Sequence, residues 1–262
     1  LGVDVKFPSD FTGSPYSILA SGITCLPQRL EFPFSLINSP SATIPELSPS
    51  INELFPGWVL DQNIYMIKRN EGKYLARNKA RREEFVFEVF RPDIVRLMQD
   101  ARERLAAAPE QDLYTSRDIP GLGKNYVTPR AVASGIASYD FYINYYARLG
   151  LKEQLEQREL TTGTETAATL LTAGSEDQRW EHQRSILGSD ISPAEALGEL
   201  LVQERTIAEN VEQSKGKDDT RGARVIDDYA VAHSPAVEDG FVTETWERFR
   251  QVEAEIQALL SD

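Results

Sequence analysis

The sequence predicts a mainly α-helical protein with a short β segment: a C-terminal helical domain over residues 51–262 capping the last rungs of a left-handed parallel β-helix built from residues 1–50. Three observations predict it. Proline recurs at Pro8, Pro15, Pro27, Pro33, Pro40, Pro45 and Pro49, a density no helix interior tolerates, because each ring removes a backbone donor and clashes with the preceding turn. Apolar or small residues of the same stretch return at six-residue steps. Leu1, Phe7, Leu19 and Cys25 share one phase, broken at Gly13, while Val5, Phe11 and Ile23 fall four positions after the first three. From residue 51 onward the spacing of apolar residues becomes helical.

A six-residue step is the repeat of a left-handed parallel β-helix, in which each flat face takes about six residues and turns one apolar side chain into a narrow prism. An irregular proline-rich segment whose apolar residues pack on the helices satisfies the same pattern. The chain opens inside the hexads. On the β-helix reading, earlier rungs precede Leu1 and the 262 residues are the C-terminal part of a longer protein.

The helical part divides at its punctuation. Trp58, Ile64, Met66, Ile67 and Tyr74 predict one helix over about 57–80, with no proline after Pro56. Phe85, Phe87, Val89 and Phe90 form a β-prone run that Pro92 stops, and a helix follows from Asp93 to about Ala108, closed by Pro109. After a loop rich in Asp, Gly and Pro, Thr128 and Pro129 supply an N-cap and first-turn proline for a helix ending near Gly150. Ser192 and Pro193 repeat the device for a helix to about Ser214, with residues 214–222 as a flexible hinge. Asp239 starts a last helix whose Phe241, Val242, Thr245, Trp246, Phe249, Val252, Ile256 and Leu259 keep helical spacing, with one apolar face and a charged face opposite.

Charge narrows the function. Lys plus Arg number 28 against 41 Asp plus Glu, a net −13, and residues 152–262 alone carry −13 whereas 51–109 carry +2. Such a balance argues against nucleic acid as a partner, since phosphate backbones are held by clustered excess cations. One cysteine and two histidines leave no intrachain disulfide, no metal site and no cofactor to expect. No run approaches the ~20 apolar residues of a membrane span, and the N-terminus lacks the pattern of a signal peptide, so the expected compartment is the cytoplasm with no membrane partner.

Candidate chemistry is sparse. Lys68, Arg69, Lys73, Arg77, Lys79, Arg81 and Arg82 crowd into fifteen residues opposed by Glu71 alone, and Arg69, Lys73 and Arg77 step by four along one helix face. Arginine offers phosphate oxygens a planar fork, so this face and Arg224 are anion-binding candidates; the plainer alternative is a solvated face or one paired with the acidic C-terminal part. The run Gly121–Tyr126 has the wrong glycine spacing for a phosphate loop and reads as a turn. Tyr139, Phe141, Tyr142, Tyr145 and Tyr146 cannot share one helix face, so some rings must reach solvent, a partner or a ligand unless they are buried between helices or subunits.

A second polar cluster contains Asp227, Asp228, Tyr229 and His233. If residues 223–233 are helical, Arg224 can pair with Asp228, and Tyr229 stands one turn from His233. Such a group can do acid and base work, although structural ion pairs produce the same pattern, and adjacent aspartates on a helix diverge too far to share a metal. His182 reads as a surface or packing residue, and Cys25, in phase with the hexads, as a buried wall residue.

Several runs together carry a family likeness: Leu30–Leu36 (LEFPFSL), Trp58–Lys79 with its spaced Asn63, Tyr65, Arg69, Asn70, Lys73, Tyr74 and Arg77, Phe85–Asp93, and Arg224–Tyr229 with Phe241 and Val242. The chain resembles an uncharacterised bacterial family of left-handed β-helix proteins with a helical C-terminal region, some of whose members are labelled sugar-nucleotide pyrophosphorylase-like. The resemblance implies a longer β-helix ahead of residues 1–37 and a transferase-like handling of sugar phosphates or sugar nucleotides, and it supplies no active site. Related β-helix acyltransferases rely on a histidine in or beside the rungs, which residues 1–50 lack. The alternative function is a non-catalytic cap and assembly module. Flat β-helix faces commonly pack three together, so a homo-oligomer, preferably a trimer, is the expected assembly.

Overall fold

A computed structural model describes residues 5–45, 47–83 and 86–261. It is mainly helical, with one small mixed sheet. Leu1 and Phe85, placed above in the hexads and the β-prone run, lie outside the described residues. The folded chain groups as Leu1–Gln62 with Val89–Tyr142 in one compact unit and Asn63–Glu88 with Ile143–Asp262 in the other.

In the first unit the proline-rich segment is an ordered coil. Val5 bridges Cys25, Asp10 bridges Arg29, and β1 (Ile18–Leu19) pairs with β2 (Leu36–Asn38), all in parallel, at sequence offsets of 20, 19 and 18 residues. Lys6 N donates to Cys25 O at 2.8 Å, Leu30 N to Asp10 O at 3.0 Å and Ile18 N to Ser35 O at 2.8 Å. Residues 5–20 therefore lie in step over residues 25–37, and Cys25, Leu30, Phe32 and Ile37 are fully buried. Phe7 departs from the hexad expectation: its side chain is 72% exposed and points to no interior.

Parallel stacking stops at β3 (Asn52–Phe55), which runs antiparallel against β2 and carries β4 (Asn125–Tyr126) in parallel on its far edge. After α1 (Trp58–Gln62), Pro92 opens α3 (Pro92–Ala106). Arg104, in its last turn, clamps the second coil. Its Nη2 donates to Glu31 O at 2.6 Å, its Nη1 to Glu31 Oε2 at 2.6 Å, and its guanidinium lies 5.0 Å from the Phe32 ring centroid. Gly121 and Gly123, at φ +91° and +64°, confirm the turn between β-prone neighbours. A Cβ on Gly123 would collide with Gln28 Oε1 and stand 2.8 Å from Arg29 O, so only glycine lets the turn approach the coil.

The aromatic helix α4 (Pro129–Gln157) runs well past Gly150, whose missing side chain leaves room for the Gln183 amide rather than ending the helix. Its tyrosines bury their rings and still satisfy their hydroxyls. In the first unit Tyr139 donates to Pro33 O at 2.7 Å and Tyr142 to Leu60 O at 3.2 Å. In the second, Tyr145 donates to Glu204 Oε1 at 2.8 Å, and Tyr146 Oη lies 3.4 Å from His182 Nδ1. The four tyrosines need neither solvent nor a neighbouring subunit.

The second unit also holds α2 (Ile64–Arg77), α5 (Glu165–Leu170), α6 (Gln178–Leu187), α7 (Pro193–Val225), α8 (Tyr229–Ala232) and α9 (Gly240–Leu260). The helix expected over 57–80 is thus two, parted at Asn63, and residues 86–90 form no strand. Ser192 caps α7 by accepting from Glu195 N, as its sequence signature requires. The hinge expected at 214–222 is helical: Ser214 and Lys215 are each 5% exposed, buried within the unit, so α7 continues despite its glycines and charges. Asp239 caps α9 through Phe241 N and Val242 N; of the expected face Val242, Phe249, Val252 and Ile256 are buried, while Phe241, Thr245, Trp246 and Leu259 are half-buried. Lys152 ties α4 to α9, with its Nζ 2.5 Å from Glu156 Oε1 and 2.8 Å from Glu255 Oε2.

Candidate functional site

The C-terminal half of α2 holds the cations where the four-residue step predicts them. Lys73 and Arg77, one turn apart, line an open cleft of about 450 Å³ with Asn70, Tyr74, Asn78 and Lys79. The chain leaves the helix at Asn78, which adopts an extended conformation, and this exit swings Lys79 beside the last turn. Tyr74 is 47% exposed and rests on Phe87, with ring centroids 4.0 Å apart. Among the described residues no carboxylate forms an ion pair with Lys73, Arg77 or Lys79. Desolvation and the like charges of Arg69 and Arg77 lower the pKa of the Lys73 ammonium.

Arg69 does not join this cleft. Its guanidinium lies 5.8 Å from the Tyr65 ring centroid, a cation–π contact on its own helix. Arg224 is exposed in the last turn of α7 and lines no part of the cleft either. Of the four anion candidates, Lys73 and Arg77 come together.

The cluster around residue 227 has a structural explanation. Residues 223–233 are not one helix: α7 ends at Val225 and α8 starts at Tyr229, so the expected Arg224–Asp228 turn does not form. Asp227 and Asp228 are exposed at that break. Gly222 admits the Tyr229 ring, with which any Cβ at that position would collide. Tyr229 stacks on His233 at 4.4 Å, and its hydroxyl lies 3.3 Å from Asp219 Oδ1. Lys215 pairs with Asp219 and donates to Ser234 O at 2.6 Å, fastening the chain's return to α7. Among the described residues no group of histidine, cysteine and carboxylate side chains has the arrangement of a metal site.

His182 packs on Tyr146 at 5.6 Å between ring centroids, and Cys25 is fully buried with Gln28 Nε2 donating to its Sγ at 3.0 Å. Burial pushes the Cys25 thiol up, away from a reactive thiolate.

A second cleft, of about 220 Å³, opens in the same unit where α2, α4, α7 and α9 meet. Lys68, Tyr145, Glu204 and Arg248 come to it from four helices far apart in sequence, and no motif announces them. Lys68 belongs to the cationic run and Tyr145 to the aromatic run that the sequence singled out; Glu204 and Arg248 belong to neither.

No family model, no curated protein and no solved structure matches the chain. The resemblance read from its sequence therefore rests on the quoted runs alone. No helix among the described residues is long and apolar enough to cross a membrane.

Proposed function

We propose that the chain binds a sugar phosphate or sugar nucleotide on the C-terminal face of α2, as part of a transferase-like protein. One observation carries this reading: Lys73, Arg77 and Lys79 converge on a cleft with two asparagine amides and an exposed tyrosine ring, with no ion-paired carboxylate among the described residues. Cations supply phosphate contacts, amides bond sugar hydroxyls, and an aromatic face stacks on a sugar or base. A dianion there also offsets the like charges of Arg69 and Arg77, which after desolvation lower the pKa of Lys73.

The test is calorimetric titration with glucose 1-phosphate, a uridine diphosphate sugar and inorganic phosphate at low and high salt. Binding that weakens with salt and is lost in Lys73→Glu and Arg77→Glu supports the reading. Equal binding by both variants, or no binding by any of the three compounds, removes it.

A second reading, a cap and assembly module at the end of a left-handed β-helix, is favoured by the parallel register of residues 5–37. Its tightest offset, 18 residues, equals three six-residue faces, the length of one prismatic coil. The antiparallel β3 covers the edge of β2 and so ends such a ladder, which is what a cap must do. The apolar faces of α4 and α9 are buried within the chain, so assembly through them is not needed; an oligomer would use exposed residues such as Val225, Val231 and Val237 instead. Light scattering decides: a trimer that Val231→Asp dissociates supports this reading, and a monomer at high concentration leaves it without an assembly role.

A further inference from the structure

We propose that the cleft where α2, α4, α7 and α9 meet takes a small carbonyl compound bearing a carboxylate, and that the Lys68 amine condenses with it to form an imine. This site is separate from the α2 anion face and does not depend on it.

The floor of the cleft is buried: Tyr145 is 2% exposed, Ile207 4% and Glu204 6%. Its rim is open, with Leu75, Glu244 and Arg248 reaching solvent. Lys68 joins floor to rim, keeping 18% of its side chain accessible. A volume of about 220 Å³ admits only a small molecule.

The groups around Lys68 match what imine formation needs. Leu75, Ile207 and Phe241 give the cleft apolar walls, and the Tyr145 ring, from α4, stands 6.0 Å from Nζ, at the outer limit of a cation–π contact that weakly favours the ammonium. Burial disfavours the ammonium and lowers its pKa. Glu71 on the same helix, Glu204 on α7 and Glu88 oppose that shift, whereas Arg248 on α9 adds to it. A neutral amine in an apolar pocket is the activated form of a lysine nucleophile. Glu71, ion-paired with Lys68 at 3.9 Å between Oε2 and Nζ, can carry the proton through one water. Arg248 at the rim gives a carboxylate its anchor. Glu244 lines the same rim and sets the preference for a single small anion over a polyanion.

The step balances without a redox partner. The Nζ lone pair attacks the carbonyl carbon; one nitrogen proton passes through Glu71 to the carbonyl oxygen to give the hydroxyl, the second follows by the same route, and that oxygen leaves as water as the C=N bond forms.

The experiment treats the intact protein at neutral pH with glyoxylate and cyanoborohydride, the hydride donor that traps the imine as carboxymethyl-lysine. Peptide mass spectrometry then compares Lys68 with the exposed Lys6, Lys79 and Lys124. Lys68 is expected to react about tenfold faster, because a lowered pKa enlarges the fraction of neutral amine, and to lose its advantage in denaturing urea. Propanal, which has no carboxylate, serves as the second probe. In Arg248→Gln the glyoxylate rate at Lys68 should fall by more than the propanal rate. Labelling of Lys68 no faster than that of the exposed lysines overturns the reactive amine. Equal loss for both probes in Arg248→Gln overturns the carboxylate anchor.

Discussion

The phenol of Tyr139, at the tenth residue beyond the start of α4, donates a 2.7 Å hydrogen bond to the carbonyl of Pro33, in the loop that precedes β2. Burial raises the pKa of that phenol, which keeps it a donor at any physiological pH. The bond links a proline-rich coil to a helix more than a hundred residues away and satisfies a carbonyl that has no ladder partner.

Tyr139→Phe leaves that buried carbonyl unpaired while keeping the ring. The expected cost is about 1–2 kcal/mol, read as a lowered midpoint in urea unfolding with an unchanged slope. An unaltered midpoint means that water or a shifted backbone takes the place of the hydroxyl.

Gly123→Ala forces an L side chain into a left-handed conformation and against both Gln28 Oε1 and the Arg29 carbonyl. A loss of about 1–3 kcal/mol is expected from the backbone conformation alone. Gly174→Ala, which meets nothing within 4 Å, is the neutral control in the same assay.

Lys215→Met removes both the pairing with Asp219 and the 2.6 Å bond to Ser234 O. The chain after α7 should then open locally, and limited proteolysis should cut within residues 226–238 sooner than in the native protein, with α7 and α9 surviving as large fragments. Cleavage elsewhere, at an unchanged rate for this segment, would refute the fastening role.

The Lys152–Glu255 bridge gives a pH signature. The hydrogen bond from Lys152 lowers the pKa of the Glu255 carboxyl. For such a group the stabilisation is present above the unfolded value of about 4.3 and is lost as pH falls through the lower folded value. Burial alone would lower the Lys152 pKa, but hydrogen bonds to Glu156 and Glu255 outweigh it and raise the ammonium. Its stabilisation is full below about 10.4 and fades as pH rises through the folded value. Lys152→Met should therefore cost roughly 1–2 kcal/mol between about pH 5 and about pH 10, with the gap to the native protein closing below about pH 4. A gap independent of pH would assign the loss to packing.

Local signals proved reliable where the physics is local. Ser192 before Pro193 and Asp239 before Phe241 place the starts of α7 and α9, because a cap is a hydrogen bond within four residues. The stops were less legible. Gly150 and the glycines at 216 and 222 weaken a helix only if nothing compensates, and here Gln183 and Tyr229 fill the space that two of those glycines leave. The cationic step at 69, 73 and 77 was visible as a helix face, yet whether Arg69 turns to the cleft or to Tyr65 depends on a ring that the charge pattern does not report.

By itself the sequence determined the class of this protein: a helical chain whose first fifty residues could be neither helix nor membrane span, with one face of α2 rich in cations. Proline content, net charge and four-residue spacing act through neighbours in the chain, so no fold is needed to read them. Only the tertiary structure decided which of those cations share a cleft, that four tyrosines of one helix all find partners inside the chain, and that Lys68 meets Tyr145, Glu204 and Arg248. Those relations join residues separated by tens to more than a hundred positions, and burial and distance exist between them only once the helices have packed.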